Sequence, residues 1–210
     1  MKIKICGMKY QQNINDVSCL PIDYMGFIFY KASPRFVAEL DKNILKNIPS
    51  QIQKVAVFVN SSVEEICLIT KKYEFDLVQL HGKESVEDCK YLFEQNINVI
   101  KAFSIDYNTS FLTTENYTPY CKYFLFDTAT KLFGGSGMQF NWKLINDYAY
   151  STPFFLSGGI GVENIEAALK INHPQLFGFD INSKIEDSAA LKNMATAKQL
   201  IQKIKIHGNI

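Results

Sequence analysis

Short runs of apolar residues recur along the chain and alternate with stretches in which apolar residues return every three or four positions. The runs are typical of strands buried on both faces, and the stretches between them are typical of amphipathic helices. Eight such runs occur, over residues 3–6, 24–29, 55–59, 77–80, 99–103, 123–126, 154–156 and 177–181. Their carboxyl ends follow one another every 22 to 30 residues. The pattern therefore predicts repeated β-α units.

Residues typical of helix starts support the prediction that the stretches between the runs are helical. Ser62 with Glu65, and Ser85 with Asp88, have the spacing of a capping box, in which two side chains satisfy free N–H groups at a helix start. Further helices are predicted over residues 41–48, 141–148, 162–170 and 191–206. Residues 104–119 are polar and weakly periodic, which predicts a short helix there or none.

Strands covered on both faces belong to a parallel sheet wrapped by helices, and two architectures fit this description. A doubly wound sheet usually needs five or six strands and often has a glycine-rich turn after the first. The first run here ends in Cys6-Gly7-Met8-Lys9, without that turn. Eight units favour an α/β fold of the (β/α)8 TIM-barrel type. We expect a single compact domain over residues 1–210, with short loops because such barrels rarely have fewer than about 200 residues.

Composition and charge narrow the class of protein. The chain is 47% hydrophobic and 20% charged, with a formal net charge of +1, as in soluble globular proteins. No uncharged apolar run reaches the roughly 18 residues that cross a bilayer, and the start has no signal-peptide pattern. We expect a cytoplasmic protein with no membrane or nucleic-acid partner, a monomer or alternatively a homodimer. The five cysteines have neither disulfide-framework nor zinc-site spacing.

In barrels of this type the chemistry lies at the carboxyl ends of the strands. Cys6 ends the first run; a buried cysteine is often a small apolar residue, but an accessible thiolate is a base or nucleophile. Asp127 directly follows the sixth run and is poorly placed as a helix cap, so a general acid is the better interpretation. His81 follows the fourth run, either as a packing residue or as a polar group of a site.

Other strand ends point to an anionic ligand. Arg35 is the only arginine, which suggests a bidentate grip on a carboxylate or phosphate, with a surface ion pair as the alternative. The seventh and eighth runs lead into Ser157-Gly158-Gly159-Ile160 and Asp180-Ile181-Asn182-Ser183, where such barrels often bind phosphate through backbone N–H groups. The glycine-rich residues 134–137 permit close approach of the backbone to a ligand, or form a flexible loop. We expect a small phosphorylated metabolite as ligand.

Taken in order, these motifs resemble those of the phosphoribosylanthranilate isomerase family over almost the whole chain. The matching segments are Lys4-Ile5-Cys6-Gly7-Met8, Gly26-Phe27-Ile28-Phe29, Ser33-Pro34-Arg35-Phe36-Val37, Val57-Phe58-Val59-Asn60, Val78-Gln79-Leu80-His81-Gly82, Phe126-Asp127-Thr128, Gly134-Gly135-Ser136-Gly137, Phe140-Asn141-Trp142, Leu156-Ser157-Gly158-Gly159-Ile160, and Asp180 with Ser183 and Glu186. Each segment is modest, but the ordered series is specific.

The resemblance implies an aldose-ketose isomerase of tryptophan biosynthesis. Its reaction would be the Amadori rearrangement of N-(5-phosphoribosyl)anthranilate to 1-(o-carboxyphenylamino)-1-deoxyribulose 5-phosphate, with no metal and no organic cofactor. The resemblance further implies Asp127 as general acid and Cys6 as general base, and it leaves the role of His81 open. The remaining implied contacts are Arg35 with the anthranilate carboxylate, Asp180 with the opened sugar, and Gly135, Gly137, Gly158, Gly159, Asn182 and Ser183 with the phosphate.

Departures from the family pattern, among them Ala189-Ala190-Leu191-Lys192-Asn193 in place of Pro-Gly-x-Lys-Asp, and several alternatives accompany this resemblance. Lys184 stands where the family usually has glycine. If that position needs a positive φ, lysine costs on the order of 1 kcal/mol or redirects the turn, although its ammonium could also assist phosphate binding. The alternatives are a related sugar-phosphate isomerase, epimerase or synthase, and a non-catalytic barrel that binds a phosphorylated ligand. A binder would need neither Cys6 nor Asp127.

Overall fold

Eight parallel strands close into a barrel in the computed structural model, which describes residues 1–106, 110–128 and 142–207. The strands follow chain order around the barrel, and β1 pairs with β8 to close it. They are β1 Lys2–Ile5, β2 Tyr24–Ile28, β3 Gln53–Phe58, β4 Leu77–Leu80, β5 Asn98–Ile105, β6 Tyr123–Thr128, β7 Phe154–Ser157 and β8 Leu176–Ile181. The (β/α)8 barrel predicted from the sequence is confirmed, and each apolar run corresponds to one strand.

Alternate residues along the strands enter two separate packing layers, as the two-residue period of a strand requires. One layer, which includes Ile5, Ala56 and Phe58, packs against helix residues such as Ile66 and Leu92. The other layer fills the barrel interior with Cys6, Tyr24, Val55, Val57, Leu77, Ile100, Ala102, Leu125 and Phe155. Both faces of the sheet are therefore buried, which explains why the strands appear in the sequence as nearly continuous apolar runs.

An aromatic group fills the amino-terminal part of this interior layer. The rings of Tyr24, Tyr123, Phe155 and Phe177 lie 4.5 to 6.3 Å apart, mostly edge to face. The two tyrosine hydroxyl groups are 3.4 Å from each other. We refer to these four residues as the aromatic plug. They begin strands β2, β6, β7 and β8 or lie within one residue of those starts, so the plug lies at the end of the barrel opposite the carboxyl ends.

Six α-helices and three short 3₁₀ helices connect and cover the strands within the described residues. The α-helices are α1 Gln11–Ser18, α2 Lys42–Asn47, α3 Val63–Tyr73, α4 Val86–Glu94, α5 Ile165–Ala168 and α6 Met194–His207. The 3₁₀ helices are Phe111–Tyr117, Trp142–Asp147 and Ser183–Ile185, and a small antiparallel hairpin pairs β9 Glu186–Ser188 with β10 Leu191–Lys192. No described helix is both long enough and apolar enough to cross a membrane.

The predicted helices overlap helices of the structure, but several of them differ in length or type. Ser85 and Asp88 form a complete capping box, and Ser62 accepts the N–H of Glu65. The helix predicted over residues 191–206 begins at Met194 instead, because Leu191 and Lys192 pair with β9. The helix predicted over residues 162–170 is shorter, Ile165–Ala168, and residues 142–147 of the one predicted over 141–148 form a 3₁₀ helix. Asn141 lies outside the described residues.

A buried ion pair fixes the turn that follows β4. The ammonium of Lys101, on β5, lies 3.1 Å from Oε2 of Glu84 and also donates to the carbonyls of Leu80 and Gly82. Glu84 in turn accepts the backbone N–H groups of Asn60 and Gly82. Both charged side chains are almost fully buried. This network holds the chain on either side of His81.

Glu84→Gln removes one charge of this pair without changing the shape of the side chain. Because it leaves the Lys101 ammonium buried without a counter-ion, we expect the free energy of unfolding to fall by about 3 kcal/mol. Urea denaturation measures the change. Glu94→Gln, the same substitution in the exposed pair with Lys90, should cost less than about 1 kcal/mol. Equal effects of the two substitutions would contradict a structural role for the buried pair.

Candidate active site

A cavity of about 470 Å³ opens at the carboxyl ends of the strands. Residues from the ends of seven of the eight strands contribute to its lining, with β5 the exception. Of the site residues predicted from the sequence, those that line it are Cys6, His81, Asp127, Gly158, Gly159, Asp180, Asn182 and Ser183. The predicted site residues Gly135 and Gly137 lie outside the described residues. The fold thus gathers into one cavity eight residues that are spread over most of the sequence.

Cys6 follows β1 directly and its side chain reaches the cavity from the barrel interior, where the residue is 4% exposed. Two glycines shape its surroundings. Gly7 has φ +78°, and a Cβ there would lie 2.6 Å from Cδ of Arg35 and 2.7 Å from Oδ1 of Asn182. At Gly26, on β2, a Cβ would lie 2.7 Å from the Cys6 sulfur. Sequence reasoning included Gly26 only as part of a motif, whereas in the structure its missing side chain makes room for the thiol.

Lys4 is a buried cation beneath the cavity that sequence reasoning did not single out. It lies two residues before Cys6 on β1, so the two side chains share the interior face. Its ammonium is 2.8 Å from Oδ1 of Asp180, and the two side chains are 0% and 5% exposed. Burial lowers the pKa of Lys4, but the charges of Asp180 and Cys6 outweigh burial and raise it overall. The signal in the sequence was a lysine at an interior position of an apolar strand.

The Cys6 thiol experiences opposing influences. Burial raises its pKa, the ammonium of Lys4 lowers it, and the carboxylate of Asp180 raises it again. The ammonium of Lys192 adds a smaller lowering effect. Overall the pKa of Cys6 is raised above that of a free thiol. The two lysines therefore offset only part of the cost of forming a thiolate in this dry position.

Asp127 lies at the end of β6 and faces the cavity together with His81. Nε2 of His81 is 3.2 Å from Oδ2 of Asp127, and Nδ1 of His81 is 2.7 Å from the side-chain amide of Gln79. Each of the two side chains, Asp127 and His81, is about one third exposed. His81 therefore lies at the cavity wall beside Asp127, a position that favours the second of the two roles considered for it from the sequence.

Arg35 binds a carboxylate in bidentate fashion, as its planar guanidinium group suggested, but this carboxylate is the side chain of Glu186 in the same chain. Its Nε lies 2.9 and 3.1 Å from the two carboxylate oxygens of Glu186, and its Nη2 binds Oε2. Lys192 also binds Glu186, at 2.7 Å, and the N–H of Ala190 donates to it. These contacts raise the pKa of Arg35, and they lower that of Glu186 although burial alone would raise it. Arg35 adjoins Gly7, next to the cavity.

The loops after β7 and β8 supply the backbone of a candidate anion site. Gly158 and Gly159 have φ of +94° and +73°, conformations that glycine adopts at no steric cost. The side chain of Asn164 holds the following turn through Gly161 N–H and the Gly159 carbonyl.

Lys184 lies in the 3₁₀ helix Ser183–Ile185, lines the cavity and does not have a positive φ. The strain considered for lysine at this position is therefore absent. Its ammonium lies 2.8 Å from Oε1 of Glu163 and lowers the pKa of that carboxyl. The exposed ammonium of Lys184 is thus held at the edge of the candidate anion site.

Comparison with known proteins places this cavity in a family. Residues 3–203 match the sequence model of the N-(5'phosphoribosyl)anthranilate (PRA) isomerases. The N-(5'-phosphoribosyl)anthranilate isomerase of Parabacteroides distasonis is 42% identical, over 97% of this chain and 93% of that protein.

Two solved structures have the same fold over nearly their whole length. The phosphoribosyl anthranilate isomerase of Thermotoga maritima gives a TM-score of 0.82 at 30% identity, over 98% of both chains. A phosphoribosyl anthranilate isomerase in complex with reduced 1-(o-carboxyphenylamino)-1-deoxyribulose 5-phosphate gives 0.80 at 27% identity, also over 98% of both chains. The agreement of sequence, fold and ordered motifs shows that this chain belongs to the N-(5'-phosphoribosyl)anthranilate isomerase family.

Proposed function

We propose that this chain converts N-(5'-phosphoribosyl)anthranilate into 1-(o-carboxyphenylamino)-1-deoxyribulose 5-phosphate, a step of tryptophan biosynthesis. The observation that carries the proposal is one cavity, in a barrel of this family, lined by both a thiol and a carboxyl group, Cys6 and Asp127. A structural relative was solved with the reduced form of the same product. The cavity volume of about 470 Å³ is within the range of about 300 to 1,000 Å³ typical of small-molecule sites.

The reaction needs one acid and one base. Asp127 gives its proton to the ring oxygen of the ribose, the C1–O bond breaks, and the nitrogen lone pair forms the iminium. The positive nitrogen makes the C2 proton acidic, and the Cys6 thiolate removes it to leave an enol-amine. In the ketonisation step the C2 hydroxyl gives up its proton and C1 gains one, which forms the product and returns Asp127 and Cys6 to their starting protonation states. The substrate's own nitrogen accepts the electrons, so the residues supply only proton transfer and binding.

The remaining contacts follow from the charge of the substrate. The backbone around Gly158, Gly159 and Ser183 surrounds the phosphate, and the ammonium of Lys184 lies at the edge of the same site. Asp180, oriented by Lys4, contacts the opened sugar. Arg35 binds the anthranilate carboxylate through its Nη1 edge, which takes no part in the pair with Glu186. The sequence also predicts phosphate contacts from Gly135 and Gly137, which lie outside the described residues.

Loss of the acid or the base should abolish most of the turnover. We expect Cys6→Ala and Asp127→Asn each to lower kcat by a factor of about 10² or more, the usual contribution of a positioned acid or base. Isomerase assays with the purified variants measure this. The matched controls are Asp16→Asn, at a half-buried position within α1, and Cys19→Ala, at an exposed position just after it. Turnover like that of the unmodified chain in either active-site variant would remove that residue from the mechanism.

Arg35→Lys keeps the charge but loses the planar fork. If Arg35 holds the substrate carboxylate, KM should rise about tenfold or more with kcat little changed, because a charge-assisted hydrogen bond contributes about 1.5 to 3 kcal/mol. Steady-state kinetics separates the two constants. Glu186→Gln weakens the internal pair while keeping Arg35, so it should raise KM much less. An equal rise in both variants would show that Arg35 acts only by holding the β9–β10 hairpin.

The raised pKa of Cys6 makes its ionisation measurable. A thiol whose pKa is raised ionises at a higher pH than a free thiol. The rate of alkylation of Cys6 by iodoacetamide, plotted against pH, should therefore rise at a higher pH than the rate for glutathione. Peptide mass spectrometry identifies the alkylated cysteine. Lys4→Met removes the nearest positive charge and should displace the curve to still higher pH. A displacement to lower pH in this variant would show that Lys4 does not stabilise the thiolate.

A further inference from the structure

Gln79 is a buried amide at the floor of the cavity whose function the mechanism above leaves open. It lies on β4, is 1% exposed, and lines the cavity from the barrel interior. Its Nε2 lies 2.7 Å from Nδ1 of His81, two residues further along the chain. Among the described residues, its Oε1 is one of three buried side-chain polar atoms without a hydrogen-bond partner. Within the part of the chain that the structure describes, His81 is therefore the only hydrogen-bond partner of this side chain.

This hydrogen bond determines which nitrogen of the imidazole carries the proton. An amide N–H₂ group can only donate, so Nδ1 of His81 is the acceptor and a neutral ring carries its proton on Nε2. Nε2 then points its N–H at Oδ2 of Asp127, 3.2 Å away. An N–H group needs an acceptor, and the ionised form of Asp127 offers one on either oxygen. Each hydrogen bond thus has a fixed donor: Gln79 donates to His81, and His81 donates to Asp127.

We propose that Gln79 is a positioning residue for Asp127, acting through His81: its amide selects the Nε2–H tautomer and so aims a neutral donor at the carboxylate. The proposal rests on the proposed function for the role of Asp127 as the acid. When the carboxyl group has given its proton to the ring oxygen, His81 donates to the carboxylate that remains. Oδ1 is left for the substrate, and the acid is held in one orientation.

The burial of Gln79 favours this role over a purely structural one. A buried carbonyl oxygen without a partner destabilises a folded protein, and a side chain selected for stability would not leave one. Replacement by methionine, which is similar in length and has no amide, should therefore leave the melting temperature unchanged or raise it. A structural role would instead make this variant less stable.

The tautomer can be observed directly by NMR. Long-range ¹H–¹⁵N correlation spectra distinguish a histidine protonated on Nε2 from one protonated on Nδ1, and the chain has three histidines. His173 is an internal reference, because its Nε2 faces the carbonyl of Tyr148 and its Nδ1 accepts the N–H of Gln175. We expect His81 to show the same pattern as His173. His81→Asn assigns the signal by its disappearance.

Two substitutions of Gln79 test the direction of the hydrogen bonds. Gln79→Glu places an acceptor opposite Nδ1, so His81 should become protonated on Nδ1. Gln79→Met removes the partner, so His81 should lose its single tautomer. In both variants kcat should fall about tenfold or more while KM changes less than about threefold, since a wrong tautomer beside a catalytic group lowers turnover by orders of magnitude. Gln12→Met, at an exposed position of α1, is the matched control.

Three results would overturn the proposal: an Nδ1–H pattern for His81 in the unmodified chain, an unchanged pattern in Gln79→Glu, or a changed pattern with unchanged kcat. The NMR results do not depend on substrate. If the unmodified chain fails to isomerise N-(5'-phosphoribosyl)anthranilate, the proposed function fails, and the tautomer at His81 is still tested. If the unmodified chain is active and the tautomer is as described, the kcat of the two variants decides whether Gln79 positions the acid.

Discussion

The ion pair between Lys4 and Asp180 is the interaction on which the site depends most. The two residues are register partners on the first and last strands of the barrel, and their charged groups meet in its interior. Removing two charges from water often costs more free energy than their mutual attraction returns. Proteins in which a buried ion pair is replaced by apolar side chains of similar size are commonly more stable by about 1 to 4 kcal/mol. The pair is therefore better explained by what it positions: a carboxylate at the cavity wall and a cation beside the Cys6 thiol.

A second set of contacts ties the end of β8 to the loop after β2. Glu186, on the small hairpin, receives both Arg35 and Lys192, and Lys192 also binds the side chain of Asn182. Asn182 in turn packs against Gly7, which follows Cys6. The hairpin therefore links the predicted carboxylate-binding residue to the loop that carries the predicted phosphate-binding residues. The residues predicted to bind the two ends of the substrate thus lie on elements that are held together by one buried carboxylate, Glu186.

The fold was predictable because a strand with both faces buried has few polar residues, and eight evenly spaced runs satisfy that condition. Helix α1 was not predicted, since Gln11–Ser18 contains only Ile14 and Val17 as apolar residues, too few for a periodic signal. The β9–β10 hairpin was missed because its strands are two or three residues long. Local patterns carry no information about such short pairings.

For the site, sequence reasoning found residues that line the cavity where the end of an apolar run is marked, as at Cys6, Asp127 and Asp180. It missed Lys4 and Gln79, which lie inside such runs, because the run alone does not show which face is interior and which neighbours satisfy a buried polar group. The partner of Arg35 was also beyond it, since Glu186 is 151 positions away in sequence. Contacts of that range are set by closure of the barrel.

The aromatic plug has a consequence for how protons travel. Four rings in mutual contact fill the amino-terminal part of the barrel, and the neighbouring interior residues are apolar. Among the described residues, the cavity wall that Cys6 and Asp127 share opens toward solvent at the carboxyl ends of the strands. A ligand bound in this cavity therefore lies between the side chains of Cys6 and Asp127 and bulk water. For the part of the chain that the structure describes, hydrogen isotope from the solvent reaches Cys6 and Asp127 through the same mouth as a ligand, while the cavity is empty.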